Sequence, residues 1–235
     1  MELTIQNLSK SYGDKQVLKG VKFTFEQGKI YGLLGRNGAG KTTLFNCLSG
    51  EDKPDAGEMI LKTQDREGTL KPENIGYVFA TPILPEFLTG YEFLKFYLDI
   101  NSGRIPERKP IEYYFEMVQI APEDRHRLIK GYSHGMKNKM QMLCFLISKP
   151  PVILLDEPLT SLDVVVALEI KKLLRSMRKD HIILFSTHIL QLATDLCDEI
   201  VVLNEGKLEQ IDHRMIGSSH FEDSIINLLK DENDS

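Results

Sequence analysis

The sequence predicts an α/β protein: a phosphate-loop core with a β-rich opening and an inserted helical subdomain. Three observations carry this. The apolar run Ile30–Leu34 leads straight into Gly35-Arg36-Asn37-Gly38-Ala39-Gly40-Lys41-Thr42-Thr43, after which Leu44, Phe45 and Leu48 recur at helical spacing. Continuous apolar runs return at residues 152–155, 182–185 and 200–203, separated by amphipathic segments. That alternation is expected of a parallel sheet covered on both faces. Between the two halves, from Thr89 onward, the apolar period turns helical.

Taken in order, Val21, Phe23 and Phe25 alternate with Lys22, Thr24 and Glu26, a half-buried strand that ends at the Gln27-Gly28 turn. Residues 59–61 and 75–79 read as further strands, with the turn-forming Lys53-Pro54-Asp55-Ala56-Gly57 before the first. Thr89, with Glu92 three residues later, has the form of a capping box ahead of Phe93, Phe96 and Tyr97. A second helical stretch covers residues 111–118. A third is expected after Pro122, with Met136, Met140, Leu143 and Ile147 on one face until Pro150 and Pro151 stop it. These boundaries assign residues 1–81 and 150–221 to a β subdomain plus core, and residues 82–149 to a helical subdomain. Residues 222–235 form a tail with five acidic side chains against Lys230 alone.

A length of 235 residues with 42% apolar and 27% charged side chains describes a globular chain with ample core, and excludes collagen-like, disordered and low-complexity classes. The balance of 29 basic against 34 acidic residues, net -5, has the wrong sign for a nucleic-acid coat, so no specific nucleic-acid partner is expected. Three scattered cysteines (Cys47, Cys144, Cys197) make neither a disulfide framework nor a CxxC metal site, and free thiols in a reducing compartment are expected. The near-apolar run at residues 140–147 is interrupted by Gln141 and falls short of the roughly 20 residues that span a bilayer. The opening residues lack the basic and apolar regions of a secretory signal, so a cytoplasmic protein is expected.

The chemistry lies in two places. Gly35 to Thr42 fits GxxxxGK[ST], in which glycines let successive backbone N–H groups curl around phosphate oxygens at the positive end of the next helix. Lys41 supplies a mobile cation and Thr42 a hydroxyl for magnesium. The run Val152-Ile153-Leu154-Leu155-Asp156-Glu157 ends a buried strand with adjacent carboxylates, which are costly there unless paired or metal-bound. Asp156 is therefore expected to hold magnesium, and Glu157 to orient or deprotonate an attacking water.

In order and spacing these elements resemble the nucleotide-binding subunits of the ATP-binding cassette (ABC) family over nearly the whole chain. Tyr12 stands about two dozen residues before the phosphate loop, where the family stacks an aromatic on adenine. Tyr132-Ser133-His134-Gly135-Met136 lies where its LSGGQ signature falls, with Ser133 and Gly135 kept. Pro158, Ser161-Leu162-Asp163 and Ser186-Thr187-His188 match the turn after the second phosphate motif, the D-loop and the switch histidine.

The resemblance implies a RecA-like P-loop NTPase core with an N-terminal antiparallel β subdomain and an inserted α-helical subdomain. It implies an ATPase using ATP and Mg2+, with Gly35, Asn37, Gly38, Gly40, Lys41, Thr42 and Thr43 around the phosphates and Tyr12 on the base. Thr42 and Asp156 then serve the metal, and Lys41, Glu157 and His188 the reaction. It further implies two chains, a homodimer, paired head to tail so that Ser133, Gly135 and Asp163 of one face the nucleotide of the other. The resemblance also implies a separate integral membrane permease, expected to dock near residues 80–100, where Phe87, Leu88, Phe93, Phe96 and Tyr97 offer apolar surface, and expected alone to hold the chain at the cytoplasmic face of the membrane.

Three positions depart from the pattern. Ala80 and Thr81 stand where a glutamine is usual, His134 replaces a signature glycine, and Met136 replaces the final glutamine. The Gly135-Met136-Lys137 stretch is similar to the branch serving exporters. Two other readings are a soluble ABC ATPase of assembly, translation or DNA maintenance, and a GTPase or kinase. The GTPase lacks support because Asn138-Lys139 continues as Met140-Gln141 and not as NKxD.

Overall fold

The computed structural model describes residues 1–105, 108–159, 164–211 and 225. Asp163 with the rest of the expected D-loop, and the acidic tail, lie outside the described residues. By contacts the chain divides into two units: residues 1–77, 151–157 and 178–235, and residues 78–150 and 158–177.

The first unit holds two sheets. In the antiparallel sheet, β1 (Glu2–Tyr12) pairs with β2 (Lys15–Glu26), Tyr12 opposite Lys15 beside the hairpin turn. β4 (Ala56–Lys62) lies on the other side of β1, and β5 (Glu67–Thr69) at the edge. Gly57 is required where β4 begins: its φ is 92°, and a Cβ there would come 2.5 Å from the Asn7 carbonyl oxygen.

The second sheet runs β10 (Lys207–Gln210), β9 (Glu199–Asn204), β3 (Ile30–Leu34), β8 (Ile182–Thr187), β7 (Val152–Asp156), β6 (Ile75–Val78). β3 is parallel to β8 and β9, β7 is parallel to β8, and β10 joins antiparallel to β9. Every residue of β3, β7 and β8 is buried, which is why these strands read as unbroken apolar runs. Register sets Leu34 beside Thr187 and Asp156 beside Ser186, so three parallel strands deliver their carboxyl ends to one edge. Ligands bind at such an edge in open α/β sheets.

A core of Leu3, Ile5, Phe25, Leu33, Phe45, Leu154, Leu184 and Val201 fills this unit, with the Phe25 and Tyr31 rings edge-on at 4.9 Å. Helix α1 (Lys41–Ser49) buries Leu44, Phe45 and Leu48 in it and stops at Gly50, φ 82°. Cys47 and Cys144 are buried, Cys197 is half-buried, and no disulfide joins them.

The second unit contains α2 (Gly90–Ile100), α3 (Ile111–Met117), α4 (Pro122–Arg125), α5 (His134–Ser148) and α6 (Val164–Met177). Its separate core joins Leu94, Leu98, Phe115, Met140 and Leu143. The capping box at α2 forms in full. The one helix expected after Pro122 is corrected to α4, a 3-10 turn at Ile129–Gly131, and α5. Leu128 takes an extended conformation and bridges to Thr89, which breaks the helical path. Residues 158–177, expected with the core, group with the helices, since Leu173 packs on the second unit's core and Val166 against Gly135.

The expected apolar groove also needs correction. Phe93 is buried and Leu88 and Tyr97 pack beside it, because they face the unit's own core. Phe87, 79% exposed, and Phe96, 56% exposed, remain at the surface with Ile83 and Ile100. No described helix is long and apolar enough to cross a membrane.

Candidate functional site

The glycine-rich loop follows β3 directly and ends at Gly40, which caps α1 with φ 107°. A Cβ at Gly40 would lie 2.7 Å from Val17 Cγ1, so both backbone and neighbour demand glycine. The loop thereby turns its N–H groups and the start of α1 into an open hollow of about 380 Å3. Tyr12, Lys15, Val17, Asn37, Gly38, Gly40, Lys41, Thr42, Thr43 and Glu157 line it. Gly35 packs beneath, where a Cβ would meet the Leu203 carbonyl oxygen at 2.9 Å.

Lys41 is only 6% exposed, and its ammonium donates to the carbonyls of Gly35 at 2.8 Å and Arg36 at 3.2 Å. Burial pulls its pKa down, opposed by the negative charges of Glu157 and Asp156. Glu157 Oε1 stands 3.9 Å away.

Asp156 is buried at the end of β7, and donors meet both of its oxygens. Thr42 Oγ1 donates to Oδ2 at 2.8 Å, and Ser186 Oγ donates to Oδ1 at 2.5 Å. The Ser186 oxygen in turn accepts the Glu157 N–H at 3.0 Å. Tyr77 donates to Asn46 Oδ1 at 3.2 Å and faces the same carboxylate; burial, then Asp156, push its phenol upward. A buried charge so satisfied avoids the penalty of an unpaired one.

Glu157 itself has φ 48°, a left-handed backbone that few non-glycine residues adopt. Its Oε1 is 3.0 Å from His188 Nδ1, on the loop after β8. The carboxylate thus stands between a cation and an imidazole at the mouth of the hollow.

Tyr12, 47% exposed, donates to Asp52 Oδ2 at 2.5 Å, and Thr43 lines the hollow with it. The structure therefore brings Tyr12, the loop, Asp156, Glu157 and His188 into one place in the first unit. Ser133 and Gly135 belong to the second. Ser133 caps α5, its hydroxyl accepting the Met136 N–H at 3.2 Å, and Gly135 admits Val166, whose Cγ1 would lie 2.9 Å from a Cβ there. His134 is exposed at the first turn, and Ala80 and Thr81 are exposed too.

Tyr77, Asn46 and Asp52 were absent from the sequence reading, and Ser186 entered it only as part of the histidine motif. Tyr77 reads as one more strand residue, and Asp52 as part of an acidic turn; only the fold brings them in.

Hard oxygen donors at Thr42 and Asp156, beside a phosphate-sized cradle, fit a magnesium ion. Among the described residues no three His, Cys, Asp or Glu side chains gather as a metal group.

Fold and site define the class: a phosphate-loop nucleoside triphosphatase. A family model described as ABC transporter matches residues 18–160. Among curated relatives, the uncharacterized ABC transporter ATP-binding protein YxlF of Bacillus subtilis is 35% identical over 211 residues, 88% of this chain and 69% of that one. The sulfate/thiosulfate import ATP-binding protein CysA of Synechocystis is 33% identical over 215 residues, covering 90% of this chain but only 60% of its own length. A solved structure described as an ATP binding subunit of ABC transporter superposes with a TM-score of 0.80 at 25% identity, over 98% of this chain and 100% of that one. The chain belongs to the ABC transporter family as an ATP-binding subunit, an ATPase of the kind that uses ATP with Mg2+.

Proposed function

We propose that this chain is the motor of a membrane transporter, two copies closing head to tail on two ATP and driving a separate permease. The observation that carries it is the linked set Thr42, Asp156, Ser186, Glu157 and His188 beside Lys41 and the phosphate loop. Residues 35–43 cradle the phosphates and Lys41 offsets their charge. Magnesium, held by Thr42 and Asp156, would neutralise charge on the phosphate oxygens. Glu157 Oε1 orients the attacking water and accepts its proton, while His188 fixes that carboxylate and meets the γ-phosphate. Ser133 and Gly135, at the start of a fifteen-residue helix, present its N-terminal N–H groups to the nucleotide of the second copy, with Asp163 in the same interface.

Exposed Ile83, Phe87, Phe96 and Ile100 support permease docking near residues 80–100, and a subunit docked in that way would sit at the cytoplasmic face of the membrane. For direction, Gly135-Met136-Lys137 favours export, and the sulfate/thiosulfate import relative stands on the other side. Transport measured from each side of a vesicle membrane decides between them.

Two variants test the motor. Glu157→Gln is expected to bind ATP, lose turnover and elute as an ATP-dependent dimer on size exclusion. A variant that binds ATP yet stays monomeric removes the head-to-tail closure. Lys41→Ala is expected to lose ATP binding in calorimetry, and unchanged binding removes the phosphate-loop assignment.

A further inference from the structure

The hydroxyl of Tyr12 is held by a carboxylate. It donates to Asp52 Oδ2 at 2.5 Å, and the tyrosine lines the phosphate hollow together with Thr43. Asp52 is fixed in turn, its Oδ2 also 3.5 Å from the Asn46 amide of α1. The Lys10 ammonium lies 5.1 Å from the Tyr12 ring centre, and that lysine is tied to the Lys53 carbonyl at 2.8 Å. One face of the ring is thus occupied and the edge is pinned, leaving the other face for a flat ligand.

An exposed tyrosine on a strand end otherwise samples several rotamers, and ordering it on binding costs conformational entropy. We infer that Asp52 is a positioning residue for the nucleoside: by holding the Tyr12 hydroxyl it fixes the ring's plane at the mouth of the phosphate hollow, and so sets affinity for the base without touching the phosphates. The inference rests on Tyr12 meeting the base. Nothing in the spacing of the phosphate motif calls for Asp52; it sits in the turn after α1, and only the fold carries it to Tyr12. The hydrogen bond from Tyr12 foremost holds the Asp52 carboxyl below the usual aspartate range, so the acceptor stays charged through neutral pH.

The test compares ATP with inorganic tripolyphosphate, which carries the phosphates and no base, both titrated calorimetrically without magnesium so that no turnover competes. Asp52→Asn keeps an acceptor oxygen and loses the charge, while Asp52→Ala loses both. The pair therefore separates the hydrogen bond from the charge. Asp52→Ala is expected to bind ATP about five-fold more weakly than Asp52→Asn, and the two to bind tripolyphosphate equally. Tyr12→Phe is expected to match Asp52→Ala toward ATP, and the double variant to be no weaker than Tyr12→Phe alone. Melting curves check that each variant is folded. Equal ATP affinity in Asp52→Asn and Asp52→Ala, or a loss that extends to tripolyphosphate, overturns the assignment. Wild-type protein that takes up neither ligand overturns the phosphate-loop reading first and this one with it.

Discussion

At position 157 the backbone takes a left-handed turn, φ 48°, on a residue that must also carry a carboxylate. Such a conformation costs a non-glycine residue roughly 1–3 kcal/mol and persists only where surroundings impose it. Here the Ser186 hydroxyl imposes it by accepting the Glu157 N–H while donating to Asp156. Glu157→Gly and Glu157→Gln both remove the charge, but only glycine relaxes the backbone. The glycine variant is expected to melt about 2 °C above the glutamine variant, and a glutamine variant that melts as high shows an unstrained turn. At this scale the sequence was legible where chemistry is local: Gly35 to Thr43, Asp156 and Glu157 are contiguous with the strands that aim them. Ser186, Tyr77 and Asp52 owe their places to sheet register and to a turn after α1, neither of which a linear pattern encodes.

Among the elements, α2 shows how far a local signal reaches. Thr89 accepts the Glu92 N–H at 3.1 Å, and Glu92 Oε2 accepts from the Thr89 N–H and hydroxyl, each at 2.9 Å. The Thr89 N–H first, then its hydroxyl, hold the Glu92 carboxyl below the ordinary glutamate value. A carboxyl with a depressed folded pKa adds stability above its unfolded pKa and loses it as pH falls through the folded one. Thr89→Ala is expected to cost about 1 kcal/mol at neutral pH. In urea unfolding its gap from wild type should narrow in acid, and a constant gap removes Glu92 from the cap. Strands and caps such as these were readable because each is written within a few residues. The break between α4 and α5 was not, since the Leu128 bridge to Thr89 spans nearly forty residues. The misassigned aromatics have a related cause: Phe93 and Phe96 lie on one helix, and only packing separates the buried ring from the exposed one.

The whole chain comprises two units, each with its own buried apolar cluster. All the described hydrogen-bonded machinery around the phosphate loop falls in the first, and Ser133, Gly135 and every departure from the family pattern fall in the second. Nowhere in its 235 residues is there a tryptophan. Because Tyr12 stands half open at the rim of the hollow, a Tyr12→Trp variant would carry the molecule's sole indole at the point where a base arrives. Its emission is expected to shift when ATP is added and to stay still with tripolyphosphate; a signal indifferent to ATP puts the base elsewhere. The exposed ring thus provides an optical gauge of nucleotide arrival, free of background from any other indole.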